Sequence, residues 1–213
     1  KAIILVTAFL GLYIHLVFFD PPTWLAITEC LLLGGLTAGI GFNIMHDGMH
    51  GSFSRYKWVN EMAGLSLNFL GANNHMWRTK HNIVHHTYTN ISGIDDDIEA
   101  RPFLRLCESQ KYYGIHRFQH RYFWMAYSLL YLWWVFVTDY KKYFTKRIGP
   151  TPIQKMSVGQ HISFWGFKIL HAGIFIVLPI LLQGPIAWLI GFLVYALSAG
   201  FILSIVFQLA HTV

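Results

Sequence analysis

Long uncharged runs at both ends of the chain bracket a polar, basic middle. Residues 2–19 carry no formal charge, 23–45 carry only Glu29, 162–182 carry only Lys168, and 185–210 carry none. Each run is near the ~20 residues a helix needs to cross ~30 Å of hydrocarbon. Asp20-Pro21-Pro22 splits the first pair and Gln183-Gly184-Pro185 the second. Both are helix stop signals, so the pattern predicts two transmembrane helical hairpins, four spans in all. A fifth run, 122–138, is shorter and crowded with Tyr and Trp, rings that favour the headgroup layer. If it spanned, Lys141, Lys142, Lys146, Arg147 and Lys155 would be cut off from the other basic residues. It therefore reads as an interfacial helix lying on the membrane. Residues 62–72 are too few to span and read the same way.

Composition sharpens this reading. Of 213 residues, 54% are hydrophobic and only 12% charged, against roughly a quarter charged in a soluble domain. That excludes a disordered chain and argues against an ordinary soluble one. Cys30 and Cys107 form no C-x-x-C pair, so neither a disulfide scaffold nor a zinc ribbon is encoded. The net charge is +6, and all 16 basic residues except Lys1 and Lys168 lie between Arg55 and Lys155. A basic surplus can mark nucleic-acid binding. Here it fills one segment between apolar helices, so the positive-inside rule explains it better and places that segment in the cytoplasm. The expected organisation is an all-α membrane protein with one membrane-embedded domain over 1–213. It comprises a first hairpin at 1–45, a cytoplasmic, partly interfacial helical segment at 46–160, and a second hairpin at 161–210. The chain starts at Lys1 beside an apolar run and stops three residues after another, and we expect it to be part of a longer protein. The first run is longer than a signal-peptide core and lacks a clear cleavage site.

The 12 histidines cluster. His46-Asp47-Gly48-Met49-His50 ends the second run, and His81-Asn82-Ile83-Val84-His85-His86 lies in the basic segment. On a helix, residues i and i+4 share a face, the spacing at which two imidazoles reach one metal or a metal pair. A histidine at i+5 is expected about 100° further round an α-helix, which suits a second metal or a bridging position. Neutral imidazole binds Fe, Zn, Cu and Ni. One such motif can be a buried structural pair; two within 41 residues point to metal.

These words and their surroundings, Met45 through Phe53, Lys80 through Asn90, then Asp95-Asp96-Asp97-Ile98-Glu99, resemble the membrane fatty-acid desaturase superfamily. The likeness is to its bacterial acyl-CoA and acyl-lipid branch, related to linoleoyl-CoA and front-end desaturases, and it covers nearly the whole chain. The resemblance implies a centre of two Fe held by histidines from three boxes. His46 and His50 match the first box, and His81, His85 and His86 match the second. The third, of the Gln-x-x-His-His type, is absent and is expected beyond Val213. Phe207 through His211 resembles the end of the family's fourth span, which makes His211 a further candidate ligand.

Other residues have plainer readings. His116 and His120 repeat the four-residue spacing but match no ligand box, and an amphipathic surface helix explains them. His75 and Trp77 stand before the second box, supporting it or forming a turn. His15, His161 and His171 read as structural. Asp47 either orients a box histidine or caps a helix. Asp95, Asp96 and Asp97 read as surface residues paired with nearby arginines, or as acceptors for box histidines.

The resemblance implies removal of two hydrogens from adjacent acyl carbons, using O2 and yielding a double bond and water. No protein acid or base can do this to an unactivated methylene, so the metal must carry the hard step. The protein's part is to hold the chain in an apolar groove. Expected partners are an acyl-CoA or acyl-lipid substrate, O2, membrane lipid and a separate electron donor, a ferredoxin or b-type cytochrome with its reductase; no nucleic acid is expected. No His-Pro-Gly-Gly haem motif and no G-x-G-x-x-G motif occurs. A hydroxylase or other oxygenase on the same scaffold is the nearest alternative. A non-catalytic metal transporter or sensor is a more distant one, disfavoured because the histidines lie at a span end rather than at mid-membrane. A zinc hydrolase fits less well, since His46-Asp47-Gly48-Met49-His50 lacks the glutamate of H-E-x-x-H.

Overall fold

The computed structural model describes residues 1–100 and 102–210. Four apolar helices occupy the two ends of the chain. Helix α1 is Ala2–Phe18, and α2 runs without interruption over Thr23–Met49, so the first histidine box continues the second apolar helix. Helix α3 is Lys57–Phe69. Helix α4 is Asn74–Arg78, extended by a π-helical stretch over Thr79–His85. Helix α5 is Gln119–Ser128; after a kink at Leu129, α6 runs through Leu130–Trp133, a π turn at Trp134–Thr138, and Asp139–Thr145. Helices α7, Val158–Gln183, and α8, Pro185–Ala210, complete the second apolar pair. Among the described residues, the strands are confined to one two-residue pair, β1 Arg147–Ile148 and β2 Thr151–Pro152, antiparallel with Arg147 opposite Pro152.

Among the described residues, α2, α7 and α8 are long and apolar enough to cross a membrane, and α1 is a shorter apolar helix. Their outer faces carry exposed apolar side chains, including Ile3, Ile4, Ile162, Ile169, Leu181 and Ile186, the surface expected to face lipid. The core forms where α2 packs on α8, with α1 alongside α2 and α5–α6 lying along α8. Small residues permit the close approach. A Cβ on Gly200 of α8 would fall 2.2 Å from the Ser128 carbonyl oxygen, so α5 meets α8 backbone to backbone.

Several buried polar groups within this core pair with one another, as an apolar surround favours. Thr37 donates to Tyr195 (3.2 Å), Tyr195 to Tyr131 (3.2 Å), and Tyr131 to the Leu70 carbonyl (2.9 Å), a continuous chain joining α2, α8, α6 and the end of α3. His15 of α1 meets Glu29 of α2 at 2.8 Å. Lys168, the only charge in its apolar run, donates to the carbonyls of Gly71 (2.6 Å) and Val135 (2.8 Å) and pairs with Asp139 (3.3 Å). Gly71 has φ +100, and a side chain there would strike His171 and Val135. Only glycine meets both demands.

Candidate metal centre

The first box stands where α2 winds through a π turn, Gly41–His46, before its last residues Asp47–Met49. The second stands on the π stretch Thr79–His85. Such turns widen the helix and recur at functional sites. They also correct the α-helical expectation for His86. A π turn holds more residues than the 3.6 of an α turn, so i+4 and i+5 straddle i rather than diverging. The ring of His81 lies 5.2 Å from that of His85 and 4.8 Å from that of His86, centroid to centroid.

The two boxes converge. His46 and His50 rings are 4.5 Å apart, and His81 lies 5.2 Å from His46 and 5.3 Å from His50. His86 lies 5.1 Å from His50. One ring nitrogen each from His46, His50 and His81 falls within 4.8 Å of the others. The cluster grades from buried His81 and His85 to exposed His50 and His86. His211 lies outside the described residues.

Around the imidazoles, Trp77 stacks on His81 at 4.4 Å and also borders His46 and His50, so of the two residues before the second box it is the one that supports the cluster. His75 turns away to the side-chain amide of Gln160. His116 is buried apart from the cluster, against the Pro102 carbonyl at 2.8 Å. His15 and His161 serve Glu29 and Tyr143, and His171 serves the Phe69 carbonyl. Asp47 stands 3.7 Å from His46 Nδ1, beyond hydrogen-bond range.

The surface reading of the Asp95–Asp97 run is overturned. Asp95 is fully buried. Its Oδ2 accepts from His85 Nδ1 (2.9 Å) and the Asn90 amide (2.8 Å), and its Oδ1 accepts from the Asp97 amide (3.0 Å). Asp97 reaches His85 Nδ1 at 3.2 Å and pairs with Lys80. Asp96 pairs with Lys142 at 2.7 Å. Among the described residues, the cationic partners are thus Lys80, beside the second box, and Lys142 of α6, rather than arginines. No spacing rule in the sequence marks Lys142 as their partner; the adjacency of Lys80 to His81 was the only visible signal.

Burial drives the His81 pKa down to about 2, so its imidazole is neutral at physiological pH, and burial together with the neighbouring histidines lowers His50 as well. Burial would raise the Asp97 carboxyl, but Lys80 and His85 hold it at about 2; Asp96 is lowered by Lys142 and Lys80 against the same penalty. Nδ1 of His85 is held by carboxylates, the carboxylate–histidine arrangement seen at metal sites. His81, His85 and Asp97 also bring donor atoms together. Asp97 shares His85 Nδ1 with Asp95 and is paired with Lys80, so we read Asp97 as orienting His85. Convergent, nitrogen-rich donors fit iron or another divalent transition metal.

A small apolar cavity of about 30 Å³ lies beside His46. It follows one face of α2 from His46 through Met45 and Gly41 to Thr37, with Leu203 and Phe207 of α8 opposite and Tyr131, Trp134 and Val135 of α6 as its third wall.

The arrangement defines a helical membrane protein with a histidine-rich centre able to hold metal. Residues 22–213 match the family model described as fatty acid desaturase. The chain is 30% identical over 214 residues to the sn-1 linoleoyl-lipid 6-desaturase of Arthrospira platensis, covering all of this chain and 58% of that protein. It is 30% identical over 217 residues to the acyl-lipid (8-3)-desaturase of Physcomitrium patens, covering all of this chain and 45% of the relative. A sn-1 linoleoyl-lipid 6-desaturase of Synechocystis is 33% identical over 188 residues, 85% of this chain and 51% of that one. No solved structure matches significantly. The chain belongs to the fatty acid desaturase family and spans about half the length of these curated relatives.

Proposed function

We propose that this protein is an O2-dependent acyl-lipid desaturase. The observation that carries the reading is the convergence of five histidines from two separate stretches of chain beside an apolar cavity. The names of the relatives favour an acyl-lipid over an acyl-CoA substrate. His46, His50, His81, His85 and His86 are the proposed ligands of a di-iron centre, with His211 as a further one. When bound, iron supplies the oxidative power that removes hydrogen from unactivated methylene carbons.

The chain's own residues do the rest. The apolar wall along α2 is the face along which the alkyl chain lies with one carbon pair beside the histidines, and the cavity widens from about 30 Å³ to admit it. Trp77 and Asp95 fix the rings of His81 and His85. In the balanced reaction the acyl chain loses two hydrogens; with two electrons and two protons from outside, O2 becomes two waters. Electrons come from a separate ferredoxin or b-type cytochrome. In the membrane, α1–α2 and α7–α8 form the two hairpins, α5–α6 lies at the interface, and the basic segment carries the centre on the cytoplasmic face.

The test is expression of the complete reading frame with a matching reductase system, followed by mass spectrometry of the lipid acyl chains. A new double bond that disappears in His81→Ala is the expected result. A product carrying an added oxygen atom would reject desaturation in favour of hydroxylation, and robust metal flux into vesicles without oxygen consumption would reject catalysis.

A further inference from the structure

Beyond the imidazole cluster, buried ion pairs run from α7 to the second box. Lys168 of α7 pairs with Asp139 of α6. One helical turn along α6, Lys142 is buried at 6% exposure with its Nζ 2.7 Å from Asp96. Asp96 stands between Asp95 and Asp97, the two carboxylates on His85 Nδ1. A lysine is costly to bury, and an apolar side chain of similar length would fill the same space without that cost. The same helix that carries Lys142 also lines the cavity through Tyr131, Trp134 and Val135.

We infer that Lys142 is a positioning residue for the metal centre: its pair with Asp96 pins the Asp95–Asp97 turn, and through it His85, to the helix that walls the apolar cavity. The pair thereby keeps ligand and cavity in register, and register decides which carbons face the metal. The inference rests on reading the box histidines as ligands.

Cobalt(II) is the probe, titrated into metal-free protein made from the complete reading frame and held in detergent. Affinity and the visible spectrum of the bound ion are both read. Lys142→Met should weaken cobalt binding about ten- to a hundredfold, the range for partners that orient ligands, and shift the absorption bands. Lys142→Arg should restore most of both. Asp96→Asn should match Lys142→Met, and the double variant should lose no more than either. Glu29→Gln, which breaks a buried pair in the first hairpin, should bind cobalt as the parent does. Wild-type affinity and spectrum in Lys142→Met would overturn the inference; so would the same result in Asp96→Asn if the methionine variant does not fold. An equal loss in Glu29→Gln would also overturn it, by showing the effect to be general. A parent protein that binds no cobalt would instead remove the ligand assignment beneath it.

Discussion

Asp95→Asn offers the sharpest check on how the second box is built. The carboxylate is fully buried and accepts three hydrogen bonds, two at Oδ2 and one at Oδ1. Asparagine has a single oxygen, so its amide nitrogen must face one of those donors. The least costly choice keeps the oxygen toward His85 and Asn90 and turns the nitrogen toward the Asp97 amide. One hydrogen bond is then lost and two donors face each other away from water, a cost of about 1–3 kcal/mol. The bond to His85 also changes from charge-assisted to neutral, roughly halving its strength. A less strongly held imidazole is a poorer ligand, by about ten- to a hundredfold in metal affinity, which is ~1.4–2.7 kcal/mol. Thermal unfolding of the metal-free protein and a cobalt titration separate the two effects. Asp95→Ala, which removes all three acceptors, should be worse on both readouts. Lowered stability with unchanged affinity would show that Asp95 only braces the loop. If neither quantity moved, the proposed orientation of His85 through Asp95 would be wrong.

Iron occupancy, measured by elemental analysis, should fall sharply in His46→Ala and His85→Ala but not in His116→Ala, whose ring binds the Pro102 carbonyl away from the cluster; equal loss at all three would contradict the assignment. Gly41→Leu should fill the middle of the cavity, since a Cβ there already lies 3.6 Å from Leu203. Acyl profiling should then show a shift toward shorter chains with iron occupancy intact, and an unchanged profile would remove the cavity from substrate binding. His81 titrates at about 2 in the folded chain against the ordinary 6.5, so the unfolded chain takes up the proton first as pH falls. Metal-free protein should hold this contribution above about pH 6.5 and lose up to ~1.4 kcal/mol for each pH unit below it; an equally steep profile in His81→Gln would refute that origin.

The apolar runs and the histidine words were readable because each is a local signal, a composition over some twenty residues or a spacing within six. The helix boundaries followed from Pro22 and Pro185, which stop or start a helix wherever they occur. What could not be read is what depends on the third dimension. The α-helical period sends His86 away from His81, and only the π turn, a backbone feature with no residue signature, brings both His85 and His86 beside it. The three consecutive aspartates look like a solvated surface because Arg101 and Arg105 close by in sequence offer ready surface partners; of the two readings the sequence allows, the one that makes them acceptors for a box histidine is the one the packing realises. The cancellation of their charge comes partly from Lys142, some 45 residues on, delivered by the packing of α6 against the second box. The two failures share a cause. A ligand set must be neutral, rigid and desolvated at once, and those demands conflict along any short stretch of chain. The conflict is resolved by widening two helices and by carrying compensating charge in from elsewhere, so the least readable residues are those that adjust the centre rather than those that compose it.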